Sequence, residues 1–167
     1  RILDELAGEW FLQPWLLILI VFFGVTFAHE GVFSDRLAFW QDAATNSPHP
    51  AFAHKNLGAM YYLDKNYPLA ENYSERALVL NPKEPMAHNN LGLIYASRGD
   101  AKAAEREYLL ELSSNPYYDS AHYNLGLLYY NESDFANARK QWEETLRINP
   151  HYGDALNALR ALYIQGK

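Results

Sequence analysis

Residues 121–130 read AHYNLGLLYY, and the phrase occurs twice before, as AHKNLGAMYY at Ala53–Tyr62 and AHNNLGLIYA at Ala87–Ala96. Each step is 34 residues. Leu-Gly recurs at 57–58, 91–92 and 125–126, and Asn-Pro at 81–82, 115–116 and 149–150. Ser47-Pro48 sits one period earlier. Tyr61, Tyr95 and Tyr129 keep step, as do Ala70, Ala104 and Ala138. A fixed period of this length marks a stacked supersecondary unit.

Each unit carries two apolar stripes at helical spacing. In the last full unit Ala121, Leu125, Leu128 and Tyr129 form one, and Phe135, Ala138 and Trp142 the next. Helix-start chemistry lies between them: Asn66-Tyr67-Pro68, Gly99-Asp100 and Ser133-Asp134. Asn-Pro ends each second helix, because the residue before proline avoids the α region. Gly58, Gly92 and Gly126 fall inside the first helices, where glycine costs about 1 kcal/mol relative to alanine. Close approach of the partner helix would offset that cost.

The period divides the chain into units at 51–84, 85–118 and 119–152. Residues 34–50 are in phase with the second helices, since Trp40 lies one period before Ser74. Residues 153–167 are in phase with the first helices, with Arg160 in the glycine place. They read as a half repeat and a capping helix. The motif W-x2-L-G-x2-Y…A-x3-F…P is met with His54, His88 and His122 in the Trp place, and Ser74, Tyr108 and Trp142 in the aromatic place. On these residues the chain resembles a tetratricopeptide-repeat array over residues 51–152.

Ahead of the array lies WFLQPWLLILIVFFGVTFA, Trp10–Ala28. As a helix it would span about 27–29 Å, close to the hydrocarbon thickness of a bilayer. The expected fold is therefore all-α: an N-terminal hydrophobic, transmembrane-type helix and link over residues 1–33, then an α-solenoid of about three full repeats. Residues 10–65 also resemble the tail of multi-spanning O-mannosyltransferase-like membrane glycosyltransferases, through FSDRLAFWQDAATNSPHPAFAHKNLGAMYY after an apolar run. That resemblance implies a membrane location with the array outside the cytoplasm. Asn72 and Asn131 would then stand in glycosylation sequons.

The chain has no cysteine, so no disulfide or thiol chemistry. Its net charge of −6 argues against nucleic acid. It has no Gly-rich phosphate loop, HExxH or G-x-S-x-G. Three histidines recur at 34 residues, and equivalent places on stacked helices stand about 8–10 Å apart, too far to share one ion. They read as packed, hydrogen-bonded side chains. Neither a metal, a cofactor nor catalysis is expected of this chain.

On a helical wheel His122, Leu125, Gly126 and Tyr129 face the core, and Tyr123, Leu127 and Tyr130 face away, with Asn124 and Asn131 on their edge. In the fold resembled, that second face lines a concave groove. The groove residues so implied are Lys55, Asn56, Tyr62, Asn89, Asn90, Tyr123, Asn124, Tyr130 and Asn131. An asparagine row can pair with an extended peptide or hold the repeats to one another. The leading expectation is a membrane-anchored interaction scaffold with a peptide in the groove. A structural subunit of a filament or larger complex is one alternative, with the bilayer or other copies around Trp10–Ala28. The non-catalytic tail of a glycosyltransferase is the other.

Overall fold

The structure is a computed structural model that describes residues 34–166. Helix α1 covers residues 34–46. Then follow α2 (Pro50–Leu63), α3 (Tyr67–Leu80), α4 (Ala87–Ser97), α5 (Ala101–Ser114), α6 (Asp119–Asn131), α7 (Phe135–Ile148) and α8 (Gly153–Ile164). Trp40–Lys167 forms one compact unit, which holds the solenoid repeats. Its repeats are the pairs α2/α3, α4/α5 and α6/α7, each a first (A) and a second (B) helix.

Turn chemistry sets the pairs. Asn66, Asp100 and Asp134 cap the B helices, accepting from Leu69 N (3.4 Å), Ala103 N (3.0 Å) and Asn137 N (3.1 Å). Just before each cap the chain turns through positive φ, at Lys65 (58°), Gly99 (80°) and Ser133 (65°). The B helices end at Asn81, Asn115 and Asn149, each ahead of a proline.

The helical glycines are contact points. A Cβ at Gly92 would lie 2.5 Å from the Tyr108 ring, and one at Gly126 would collide with the Trp142 ring. In these two repeats an aromatic knob thus fills the space that a side chain would take. In the first repeat the knob is Ser74, packed against Gly58. Ser74 is fully buried, and its hydroxyl has no hydrogen-bond partner among the described residues. An unpaired buried hydroxyl costs about 1–3 kcal/mol. Ser74→Ala is therefore expected to stabilise the protein by about 1 kcal/mol, a rise of roughly 2–4 °C in a thermal melt. A lowered Tm would show that the hydroxyl is satisfied.

The core is a series of layers, each shared by two repeats. Ala70 of α3 packs with Leu91 and Ile94 of α4. Ala104 and Tyr108 of α5 pack with Leu125 and Leu128 of α6, and Ala138 and Trp142 of α7 with Ala155 and Leu162 of α8. No repeat buries its apolar surface alone, which is solenoid logic. Helix α2 also meets α4, and α4 meets α6, whereas no comparable contact joins α3 to α5 or α5 to α7. The A helices therefore line the inner side of the curve.

The expected transmembrane-type helix requires correction. Among the described residues no helix is long and apolar enough to cross a membrane. The longest described helices have 14 residues, about 21 Å, against a hydrocarbon core of ~30 Å. Trp10–Ala28, on which the expectation rested, lies outside the described residues. The fold described is an all-α solenoid of eight helices. The expected membrane location, with the array outside the cytoplasm, is corrected on the same finding: no described helix is long and apolar enough to cross a bilayer.

Candidate peptide-binding face

The asparagines that open the first helices are engaged by the protein itself. Asn124 Nδ2 of α6 donates to Asn89 Oδ1 of α4 (3.0 Å). Asn90 Nδ2 of α4 donates to the Lys55 carbonyl of α2 (3.4 Å). Each rung reaches back to the preceding A helix. Among the described residues no A helix precedes α2, and Asn56 Nδ2 turns to the Phe52 carbonyl of its own helix (2.8 Å). This pattern is that of a ladder between repeats. Tyrosines add a second link: Tyr129 donates to Glu105 of the preceding B helix (2.7 Å). Tyr95 stands one period earlier, and burial and a hydrogen bond to Glu71 push its hydroxyl up to about 12.

Two of the expected groove residues are buried. Lys55 is 7% exposed; its ammonium lies 3.4 Å from Glu84 and 4.3 Å from the Phe52 ring centroid. Asn89 is 3% exposed. Its backbone N–H and that of Met86 donate to Glu111 (3.3 and 2.9 Å), a buried carboxylate of α5. Glu111 thereby takes donors at the first turn of α4, where helical N–H groups lack partners and negative charge is favoured. Tyr123 and Tyr130 belong to the layer beneath α8. Tyr123 packs on Tyr152 (5.0 Å between centroids), and Tyr130 on Phe135 (5.6 Å) and Trp142 (5.7 Å).

Three of the expected groove residues converge, while Asn56 and Asn90 do not line the same cavity. Tyr62, Asn124 and Asn131 line one cavity of about 480 Å³ with Leu93, Ser97 and Leu127. It spans the A helices of all three repeats. The Tyr62 hydroxyl lies 3.2 Å from Ser97 Oγ, across the first two repeats. Leu127, which the helical wheel sets on this face, lines the cavity, whereas Ala96, Gly99 and Glu132 at its lip are not among the expected groove residues. The 34-residue row Asp64, Arg98, Glu132 at the A-helix ends was the available signal.

The histidines are packed as expected. His88 Nδ1 meets Glu107 (2.8 Å), His122 Nδ1 meets Gln141 (2.7 Å), and His54 Nδ1 meets the Pro50 carbonyl (2.8 Å). Among the described residues no group of three or more histidine and acidic side chains is placed to hold a metal ion. Asn72 and Asn131, the sequon asparagines, are exposed.

Several solved structures share this arrangement. The first tetratricopeptide domain of Spaghetti (RPAP3), bound to the HSP90 peptide SRMEEVD, aligns with a TM-score of 0.65 at 23% identity, covering 69% of this chain and 91% of that one. A crystal structure of MamA aligns with a TM-score of 0.68 at 21% identity, covering 83% and 82%. The tetratricopeptide domain of Sgt2 from Aspergillus fumigatus aligns with a TM-score of 0.60 at 24% identity, covering 65% and 72%. At such identities the likeness shows a common fold. No curated protein sequence matches the chain. The resemblance of residues 10–65 to membrane glycosyltransferases is not shown by these matches. Two models described as tetratricopeptide repeat match residues 65–119 and 120–152, together more than half of the sequence. With the 34-residue period and the paired helices, this chain belongs to the tetratricopeptide-repeat family.

Proposed function

We propose that the chain is a protein-interaction scaffold whose A-helix face holds a peptide segment of its partner. The observation that carries this reading is the cavity of about 480 Å³ shared by three successive A helices. Its size falls within the ~300–1,000 Å³ typical of ligand pockets. Leu93, Leu127 and the Tyr62 ring offer apolar contact, and the Asn131 amide and Ser97 hydroxyl offer donors and acceptors to a peptide backbone. The RPAP3 domain bound to its HSP90 peptide supports the reading by analogy of fold. In it the chain acts by binding, not by catalysis.

An array of random dodecapeptides, probed with labelled protein, tests it. Ala96 and Asn131 are exposed and line the cavity, so tryptophan there fills the space without disturbing the core. Ala96→Trp and Asn131→Trp are expected to weaken the bound peptides by more than about tenfold, a loss of ~1.4 kcal/mol, with Tm unchanged. Undiminished binding by both variants would refute a peptide site here.

A further inference from the structure

Resting on that peptide-binding reading, we infer that the face selects a segment with a lysine or arginine beside an apolar residue, and rejects acidic chain ends. The first support is what the face lacks. Helices α2, α4 and α6 carry one lysine or arginine between them, Lys55. It is buried, paired with Glu84 and capped by the Phe52 ring. A carboxylate entering the groove would have to break that pair before meeting a cation.

The second support is what the lip of the cavity presents. None of the three A helices has a basic residue in its last turn. Helix C-termini carry partial negative charge, which basic side chains normally offset. Here the residues that close α2, α4 and α6 are Asp64, Arg98 and Glu132. Arg98 is engaged by Glu71 of the first repeat at 2.6 Å. Lys65, beside Asp64, does not line the cavity. At the third repeat Glu132 lines the cavity and is exposed, at the C-terminus of α6, and Asp134 follows two residues on. The Asn137 backbone and side chain donate to Asp134 and lower its carboxyl from the ordinary value.

An acidic residue at a helix C-terminus opposes the helix dipole. A cation set against Glu132 relieves that opposition and pairs with the carboxylate. Leu93 and Leu127, in the same cavity, take the apolar neighbour. The geometry thus favours a basic-apolar segment on charge and on shape together.

The probe is again the random dodecapeptide array, now read for composition. The peptides retained by the wild-type chain are expected to be enriched in lysine or arginine next to leucine, phenylalanine or tyrosine. The preference over matched glutamine peptides should be about two- to fivefold, the size of one helix-terminus charge interaction. Glu132→Gln should remove the preference while the peptides still bind. Binding blocked by Asn131→Trp but indifferent to charge, or enriched in aspartate and glutamate, would overturn this inference and leave the peptide site standing. No binding sensitive to Asn131→Trp would overturn the site and the inference with it.

Discussion

Replacing Trp142 by alanine should cost about 3–5 kcal/mol, the range for large aromatic side chains lost from a core. Trp142 is 1% exposed and the bulkiest of the fully buried side chains. Its ring fills the space over Gly126 and packs with Ala155 and Leu162 of α8. Its indole N–H donates to the Tyr123 carbonyl at 3.2 Å. The variant therefore loses apolar burial, a hydrogen bond and the seat of the terminal helix at once. In a domain whose total stability is of order 5–15 kcal/mol, such a loss should lower Tm by roughly 10 °C or more. Trp142→Tyr makes a sharp control, because Tyr108 fills the same place one repeat earlier. It should cost clearly less than the alanine variant, because the phenol ring keeps most of the buried apolar surface over Gly126. Equal losses for both variants would mean that the indole does more than fill the glycine space.

Deleting Gly153–Lys167 should be as damaging by a different route. Helix α8 carries the outer half of the last core layer, with Ala155 and Leu162 fully buried. Without it Ala138 and Trp142 face water, and so do the partly buried Leu127 and Tyr130 beside them. Losing the burial of Leu162 with part of Trp142 removes about 3 kcal/mol or more. The uncovered layer is an apolar patch of the kind that drives association. Sizing chromatography should show larger species and circular dichroism a lower Tm. A truncated chain that stays monodisperse with an unchanged melt would show that α8 is not a cap.

The fold was legible because its determinants repeat. Asn66, Asp100 and Asp134 recur at 34 residues as caps, and Gly92 and Gly126 keep register with Tyr108 and Trp142. The site was legible only in part. The helical wheel pointed Tyr62, Asn124 and Asn131 to the face that holds the cavity. It also displayed Lys55 and Asn89, which are buried. Their partners break the repeat: Glu84 stands where the other units have Tyr118 and Tyr152, and Glu111 where they have Ala77 and Thr145. A periodic reading discards such singular residues. A wheel also gives directions without lengths, so it missed that Tyr123 and Tyr130 reach into the layer under α8. The membrane expectation rested on the length and apolarity of Trp10–Ala28, which count residues and not surroundings.

The two asparagine rungs and the apolar layers resist different deformations. Apolar contacts are non-directional and tolerate sliding. A hydrogen bond weakens steeply once its distance or angle drifts. On the inner side each step between A helices carries one amide rung, at 3.4 Å for Asn90 and 3.0 Å for Asn124, and the first step also has the Tyr62–Ser97 hydroxyl pair. Between successive B helices no contact comparable to that of the A helices is made. Mechanically, then, the array is a leaf spring clamped along its inner edge. Loosening a rung would alter its radius of curvature, and so the width of the cavity, well before it melted a repeat.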